Sequence, residues 1–228
     1  MILKEWDSIS NDLKNEKVKE YYDILYKKRF SLVLKRIFDI VVSLIMLIYL
    51  LPIFLILGIL IKLDSSGSIM FRQERVTQYG KKFKIFKFRT MVNNADKIGT
   101  QVTKNNDTRI TKIGGILRKY RLDEMPQLIN VLIGDMSFVG TRPEVVKYVE
   151  RYSDEMKATL LLPAGITSDA SIEYKDEAKL LTNSEDTDET YIMCILPDKM
   201  DYNLKSIRNF SFLKDMKTMI KTVIAVIK

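Results

Sequence analysis

The 228-residue chain contains no histidine and a single cysteine, Cys194. Without histidine there can be no Ser-His-Asp triad, Cys-His pair or His-ligated zinc site. One cysteine excludes an internal disulfide and a CxxC motif, which fits a reducing compartment. Any chemistry here must rest on carboxylates, Lys, Arg, hydroxyls, Tyr or a hard metal ion. The length suits one compact domain with an appendage.

Charge is concentrated in one part of the chain. Residues 62–150 carry 17 Lys and Arg against 9 Asp and Glu, and so hold the whole formal excess of +8. Residues 1–61 stand at +2 and residues 151–228 at −2. Such a basic middle suits nucleic acid, an anionic membrane surface or a phosphorylated small substrate, or it is only a solvated face.

The membrane question comes first. Residues 40–61 contain no charge, longer than the roughly 18–20 apolar residues that cross a bilayer core. About 39 residues precede the run and no small-residue cleavage site follows it, which argues against a cleaved signal peptide. Lys27, Lys28, Arg29, Lys35 and Arg36 flank it before, and Lys62, Arg72, Arg75, Lys81, Lys82 and Lys84 after. The positive-inside rule puts both flanks in the cytoplasm. Pro52, near the middle, is expected to kink the helix. A re-entrant helix that bends at Pro52 satisfies both flanks better than a simple span.

Elsewhere the pattern is mainly α with a small β-hairpin. Residues 1–36 read as a charged helix with an apolar stripe of Val18, Tyr21, Tyr22 and Leu25. Residues 69–76 and 83–89 read as a hairpin turning at Tyr79-Gly80, with Phe83, Ile85, Lys87 and Arg89 on one face. Residues 93–106 read as a polar loop, and 113–120 and 125–133 as helices, the second stopped by Gly134. Residues 163–190 read as acidic and irregular. The C-terminal segment spaces Leu213, Met216, Ile220, Val223, Ile224 and Ile227 as a basic amphipathic helix, for a membrane surface or for packing on the domain. The organisation expected is a charged helical segment over 1–36, a re-entrant membrane helix over 37–63, and a compact cytoplasmic catalytic domain over 64–228 with amphipathic interfacial helices.

Candidate chemistry clusters between Arg109 and Arg142. Asp123 and Glu124 stand just before a helix with Pro126 in its first turn, so Asp123 reads either as an N-cap or as a functional carboxylate. Arg118, Lys119 and Arg121 beside the pair favour a site for phosphate and a hard divalent metal together. Mg²⁺ suits such carboxylates, and an ionised Asp can attack phosphorus to give an acyl phosphate.

Several ordered motifs carry a resemblance. They are Phe83-Lys84-Ile85-Phe86-Lys87-Phe88-Arg89-Thr90-Met91, Arg109-Ile110-Thr111, Leu122-Asp123-Glu124-Met125-Pro126-Gln127-Leu128, Gly134-Asp135-Met136-Ser137-Phe138-Val139-Gly140 and Arg142-Pro143-Glu144. Together they resemble the bacterial polyprenyl-phosphate sugar-1-phosphate transferases, the monotopic phosphoglycosyl transferases, from about residue 35 to 157 and weakly from about 201. The resemblance implies transfer of a sugar-1-phosphate from a UDP-sugar to undecaprenyl phosphate with release of UMP, as the first membrane step of a surface glycan pathway. It implies Asp123 as nucleophile, forming a covalent phosphosugar intermediate, with Asp123 and Glu124 as ligands of Mg²⁺. Arg118 and Arg142 match arginines that contact the nucleotide sugar, and Lys87 and Arg89 match a basic strand near the active site. It also implies a Pro-broken re-entrant helix at the cytoplasmic face of the bacterial inner membrane. Membrane lipids are then partners, nucleic acid is not, and there is room for a homodimer.

The chain departs from that pattern in places. Leu51 precedes Pro52 where the family commonly has Ser, and Thr141 stands where it has Pro. The segment after Pro163 differs too, with Lys175 roughly where an Arg is usual, so that Lys175 is the remaining candidate for substrate binding. Two other readings stay open: a non-catalytic membrane scaffold that binds anionic lipid or nucleic acid, and a transferase acting on a protein or saccharide acceptor.

Overall fold

Asn15 opens the first helix by accepting a hydrogen bond from the Val18 N–H at 2.9 Å. In the computed structural model, which describes residues 3–95, 107–175, 177 and 186–227, that helix is α1 (Glu16–Lys27). Val18, Tyr21, Tyr22 and Leu25 are all buried, against Leu161, Leu196, Met200 and Leu204 among others. The stripe is therefore core. Residues 1–36 are not one helix, however: short 3-10 turns at Trp6–Ser8 and Asn11–Leu13 precede α1, and a second helix begins at Arg29.

That second helix, α2 (Arg29–Asp64), is long and apolar enough to cross a membrane. It stays helical through Pro52, whose missing N–H leaves the Ile48 carbonyl without its usual donor. One face of α2 is docked along its length. Phe38, Val42, Leu47 and Leu50 pack on a cluster containing Phe83, Ile85, Leu128 and Phe138. Phe54, Leu57 and Ile61 pack with Phe88 and Leu117. The other faces are bare hydrocarbon, with Phe30, Ile48, Tyr49, Leu55 and Leu63 all more than 60% exposed. An apolar surface of this extent marks contact with lipid or another protein.

The expected hairpin is present: β1 (Met70–Val76) pairs antiparallel with β2 (Lys82–Phe88), turning over Gln78–Gly80 with Tyr79 left-handed at φ 58°. Helices α3 (Lys112–Lys119) and α4 (Gln127–Ile133) follow, and Gly134 ends α4 at φ 94°. A second, parallel pair joins β3 (Met136–Val139) to β4 (Ala164–Thr167). Here Gly140 and Gly165 cross so closely that a Cβ on Gly165 would lie 2.2 Å from the Gly140 nitrogen, so neither position tolerates a side chain.

The segment 163–190 is thus not irregular throughout. Besides β4 it contains α6 (Asp169–Glu173), after the one-turn α5 (Val146–Val149), and α7 (Thr187–Thr190). Ser168 caps α6 by accepting from the Ser171 N–H. Residues 176 and 178–185 lie outside the described residues, as does the expected loop from residue 96 to 106. A single π-turn (Tyr191–Ile195) leads into α8 (Leu196–Arg208), and α9 (Phe212–Ile227) closes the chain.

Helix α9 docks by its polar face. Asp215 pairs with Lys35 of α2, Thr218 donates to Asp169 at 3.2 Å, and Thr222 bonds Thr167 at 2.8 Å. Leu213, Ile220, Val223 and Ile224 are exposed, so this apolar stripe is available hydrophobic surface.

Candidate functional site

The backbone brings the two carboxylates together before any side-chain chemistry acts. α3 ends where Arg121 turns left-handed at φ 55°, and Leu122–Glu124 then form a 3-10 turn. Asp123 is therefore not an N-cap: Pro126 occupies the cap of α4, and the turn carrying Asp123 stands outside the helix. Buried Asn130 fixes α4 onto β2. Its amide donates to the Lys84 carbonyl at 3.1 Å and its oxygen accepts from the Phe86 N–H at 2.9 Å. This crosslink places the Asp123–Glu124 turn beside Lys87.

Glu124 is held from two sides. Lys87 Nζ donates to its Oε1 at 2.9 Å, and Arg142 Nη2 donates to the same oxygen at 2.5 Å. Arg142 Nη1 reaches Oε2 at 3.5 Å. Burial works to raise the Glu124 pKa, but the adjacent Arg142 and Lys87 outweigh it and hold the carboxyl well below the usual range. Asp123 is the opposite case. Burial, with the Glu124 charge next to it, raises its pKa, against the pull of Lys87, Arg118 and Arg121. No hydrogen bond or ion pair reaches its carboxylate from the described residues.

Arg142 is aimed by its neighbours. It leaves the β3–β4 crossing, where Gly165 N–H donates to the Thr141 carbonyl at 2.8 Å. Arg75 donates to the Pro143 carbonyl at 3.2 Å, and the Val76 N–H to the Glu144 carbonyl at 3.0 Å. The Glu144 carboxylate accepts from Tyr191 Oη at 2.5 Å, and Lys199 donates to that same hydroxyl at 2.8 Å. Glu144 lies in the Arg142-Pro143-Glu144 motif, but Arg75, Asn130, Tyr191 and Lys199 have no motif or periodicity that announces them as part of this support. The π-turn at Tyr191 is a bulge of the kind that recurs at functional sites, and no sequence pattern marks it.

The remaining candidates divide. Arg118 lies close enough to act on the Asp123 and Asp107 charges, and its side chain makes no hydrogen bond or ion pair among the described residues. Lys175 is exposed, and its carbonyl accepts from Arg121 Nη2 at 3.1 Å, which links the α6 end to the active turn. Arg89 is elsewhere: buried, it donates to the Ile61, Ser65 and Ser66 carbonyls and to Ser65 Oγ, closing the end of α2. Among the described residues no group of three or more acidic, Cys or His side chains is gathered. Two adjacent oxygen-donor carboxylates nevertheless suit Mg²⁺, which binds through one or two protein carboxylates and keeps waters and substrate phosphates as its other ligands.

Comparison with known proteins places the chain in a family. The family described as bacterial sugar transferase matches residues 29–228. The UDP-glucose:undecaprenyl-phosphate glucose-1-phosphate transferase of Klebsiella pneumoniae is 38% identical over 199 residues, covering 85% of this chain and 40% of that protein. A UDP-N-acetylgalactosamine-undecaprenyl-phosphate N-acetylgalactosaminephosphotransferase of Aeromonas hydrophila is 35% identical over 83% of this chain and 43% of its own length. The chain therefore spans about two fifths of these relatives. The exopolysaccharide production protein ExoY of Sinorhizobium fredii is nearer in size, 31% identical over 84% of each chain. Matched from residue 29 to its last residue, the chain belongs to the bacterial sugar transferase family.

Proposed function

We propose that this protein transfers a sugar-1-phosphate from a UDP-sugar to undecaprenyl phosphate, releasing UMP, as an early membrane step in building a surface glycan. One observation carries the reading: Asp123 has no partner among the described residues, while Glu124 beside it is pinned between Lys87 and Arg142. The uncommitted carboxylate suits a nucleophile and the committed one suits a fixed electrostatic frame.

Asp123 attacks the phosphorus that bears the sugar, and the bond from that phosphorus to the bridging oxygen breaks. UMP leaves with that oxygen, and the phosphosugar is held as an acyl phosphate on Asp123. An oxygen of undecaprenyl phosphate then attacks the same phosphorus, which restores the Asp123 carboxylate and yields the lipid diphosphate sugar. Arg118 and Arg142 neutralise the substrate phosphates, Lys87 holds Glu124 in place, and Lys175 lies at the rim. Mg²⁺, held by Asp123 and Glu124, would supply charge neutralisation to the diphosphate. Arg89 acts from behind, by keeping β2 against the end of α2.

The same reading seats the domain on the cytoplasmic face of the membrane as a monotopic protein. Its support is that both halves of α2 dock on one folded body: Lys35 donates to Val139 and Arg36 to Val131, while Asp64 accepts from the Ile113 N–H at 2.9 Å. Contact of both ends with one domain supports a helix that re-enters the side it left. The experiment is UMP release from membranes containing the protein. Sustained release should need UDP-sugar, undecaprenyl phosphate and Mg²⁺ together; turnover beyond one equivalent of UMP per protein without the lipid phosphate contradicts the acceptor, and no release with a panel of UDP-sugars contradicts the activity.

A further inference from the structure

A cavity of about 410 Å³ opens on the other side of the β3–β4 crossing, between the end of α8 and the first half of α9. None of Lys87, Asp123, Glu124 or Arg142 lines it. Five lysines and two aspartates do, so its lining is cationic. Lys35 is neutralised there by Asp215, Lys205 pairs with Asp201, and Lys221 stands 3.8 Å from Asp169. Lys214 and Lys217 remain, with no side-chain partner among the described residues. Two ammonium groups without counter-ions facing one cavity favour an anion.

Neutral donors face the same space. Asn203 is buried, and among the described residues its amide finds only the Met200 sulfur, at 3.9 Å. Ser206 and Asn209 also line the cavity, their side chains donating to the Tyr202 and Lys205 carbonyls. The outer side of α9 carries exposed Leu213 and Ile220, next in sequence or one turn from the two free lysines. An anion with hydrocarbon attached is therefore matched twice, by charge inside and by apolar surface at the rim.

We propose that this cavity holds the phosphate headgroup of an anionic membrane lipid, at a site separate from the catalytic carboxylates. Lys214 and Lys217 meet the phosphate, the Asn203 amide supplies a hydrogen bond, and the acyl chains lie along Leu213 and Ile220. The proposal goes beyond the transferase reading and is tested by binding alone, so failure of either leaves the other standing.

The full chain in micelles is titrated with dihexanoyl phosphatidylglycerol, and bound lipid is counted by native mass spectrometry. One saturable equivalent is expected, with dihexanoyl phosphatidylcholine and glycerol 3-phosphate each binding at least about tenfold more weakly. Ser206→Trp fills the cavity and leaves every lysine in place; it should abolish the saturable equivalent. Lys214→Gln with Lys217→Gln should weaken it by about tenfold or more, whereas Lys62→Gln, outside the cavity, should not. Should Ser206→Trp fail to fold, judged by its melting transition, the double variant decides. Equal binding of phosphatidylcholine, equal binding of glycerol 3-phosphate, or unaltered binding in the folded variants overturns the proposal.

Discussion

Arg142 donates to Glu124 Oε1 at 2.5 Å from the far end of the β3–β4 crossing, so the residue beside the proposed nucleophile is fixed by a strand pair distant in sequence. Lys87 completes the clamp from β2. The consequence is a division of labour between adjacent carboxylates, one locked and one free, from which the following outcomes are expected.

Glu124→Gln leaves Lys87 and Arg142 without their anion. With Glu124 and Lys87 mostly buried and Arg142 about one third exposed, a loss of about 2 kcal/mol is expected in chemical denaturation. Because the folded-state pKa of Glu124 lies below its unfolded value, the wild-type advantage is full above the unfolded pKa of about 4.3 and fades as pH falls through the folded one. Melting curves of the two proteins should converge toward acid pH; a constant gap contradicts the ion-pair account.

Asp123 must be ionised to attack, and burial with Glu124 alongside raises its pKa. The acid limb of kcat/KM should therefore lie above the ordinary aspartate value of about 3.9. Arg118 opposes the rise, so Arg118→Gln should move that limb to higher pH as well as weaken substrate binding. A limb that stays in place in this variant separates Arg118 from Asp123.

Arg89→Gln removes donors from four acceptors at the end of α2. A destabilisation of about 2–4 kcal/mol is expected, with KM for the UDP-sugar unchanged in the folded fraction. A raised KM at unaltered stability would instead make Arg89 a substrate ligand.

Cysteines at Phe30 and Ser66, in a Cys194→Ser background, test the course of α2, since both native residues are exposed. A membrane-impermeant thiol reagent should label both from the same side of sealed vesicles. Labelling from opposite sides contradicts the re-entrant course and makes Pro52 an interior residue of a span.

Much of this was legible in the sequence because it is local. The alternation through Phe83 and Ile85 gives β2, the left-handed preference of Gly134 ends α4, and the stripe from Val18 to Leu25 is core. The β3–β4 pair was not legible, for each strand has only four residues and the pairing joins distant segments. Asn130 and Arg75 act through main-chain groups across the fold, which leaves no spacing to read. Arg89 shares the alternation of Lys87, but β2 ends at Phe88, and the next side chain turns to the end of α2 instead of the site. The amphipathic pattern of α9 was plain; that its polar side docks inward needed Asp215, Thr218 and Thr222 to be seen against their partners.

The most direct measurement of the central claim is the intact mass of the protein after incubation with UDP-glucose or UDP-N-acetylgalactosamine, with Mg²⁺ and without undecaprenyl phosphate. The account predicts an adduct of one sugar phosphate on the peptide containing Asp123 and release of one equivalent of UMP for the matching sugar. Addition of undecaprenyl phosphate should discharge the adduct, and Asp123→Asn should form none while folding normally. Turnover to the lipid product by Asp123→Asn at the wild-type rate, or an adduct on another residue, contradicts it.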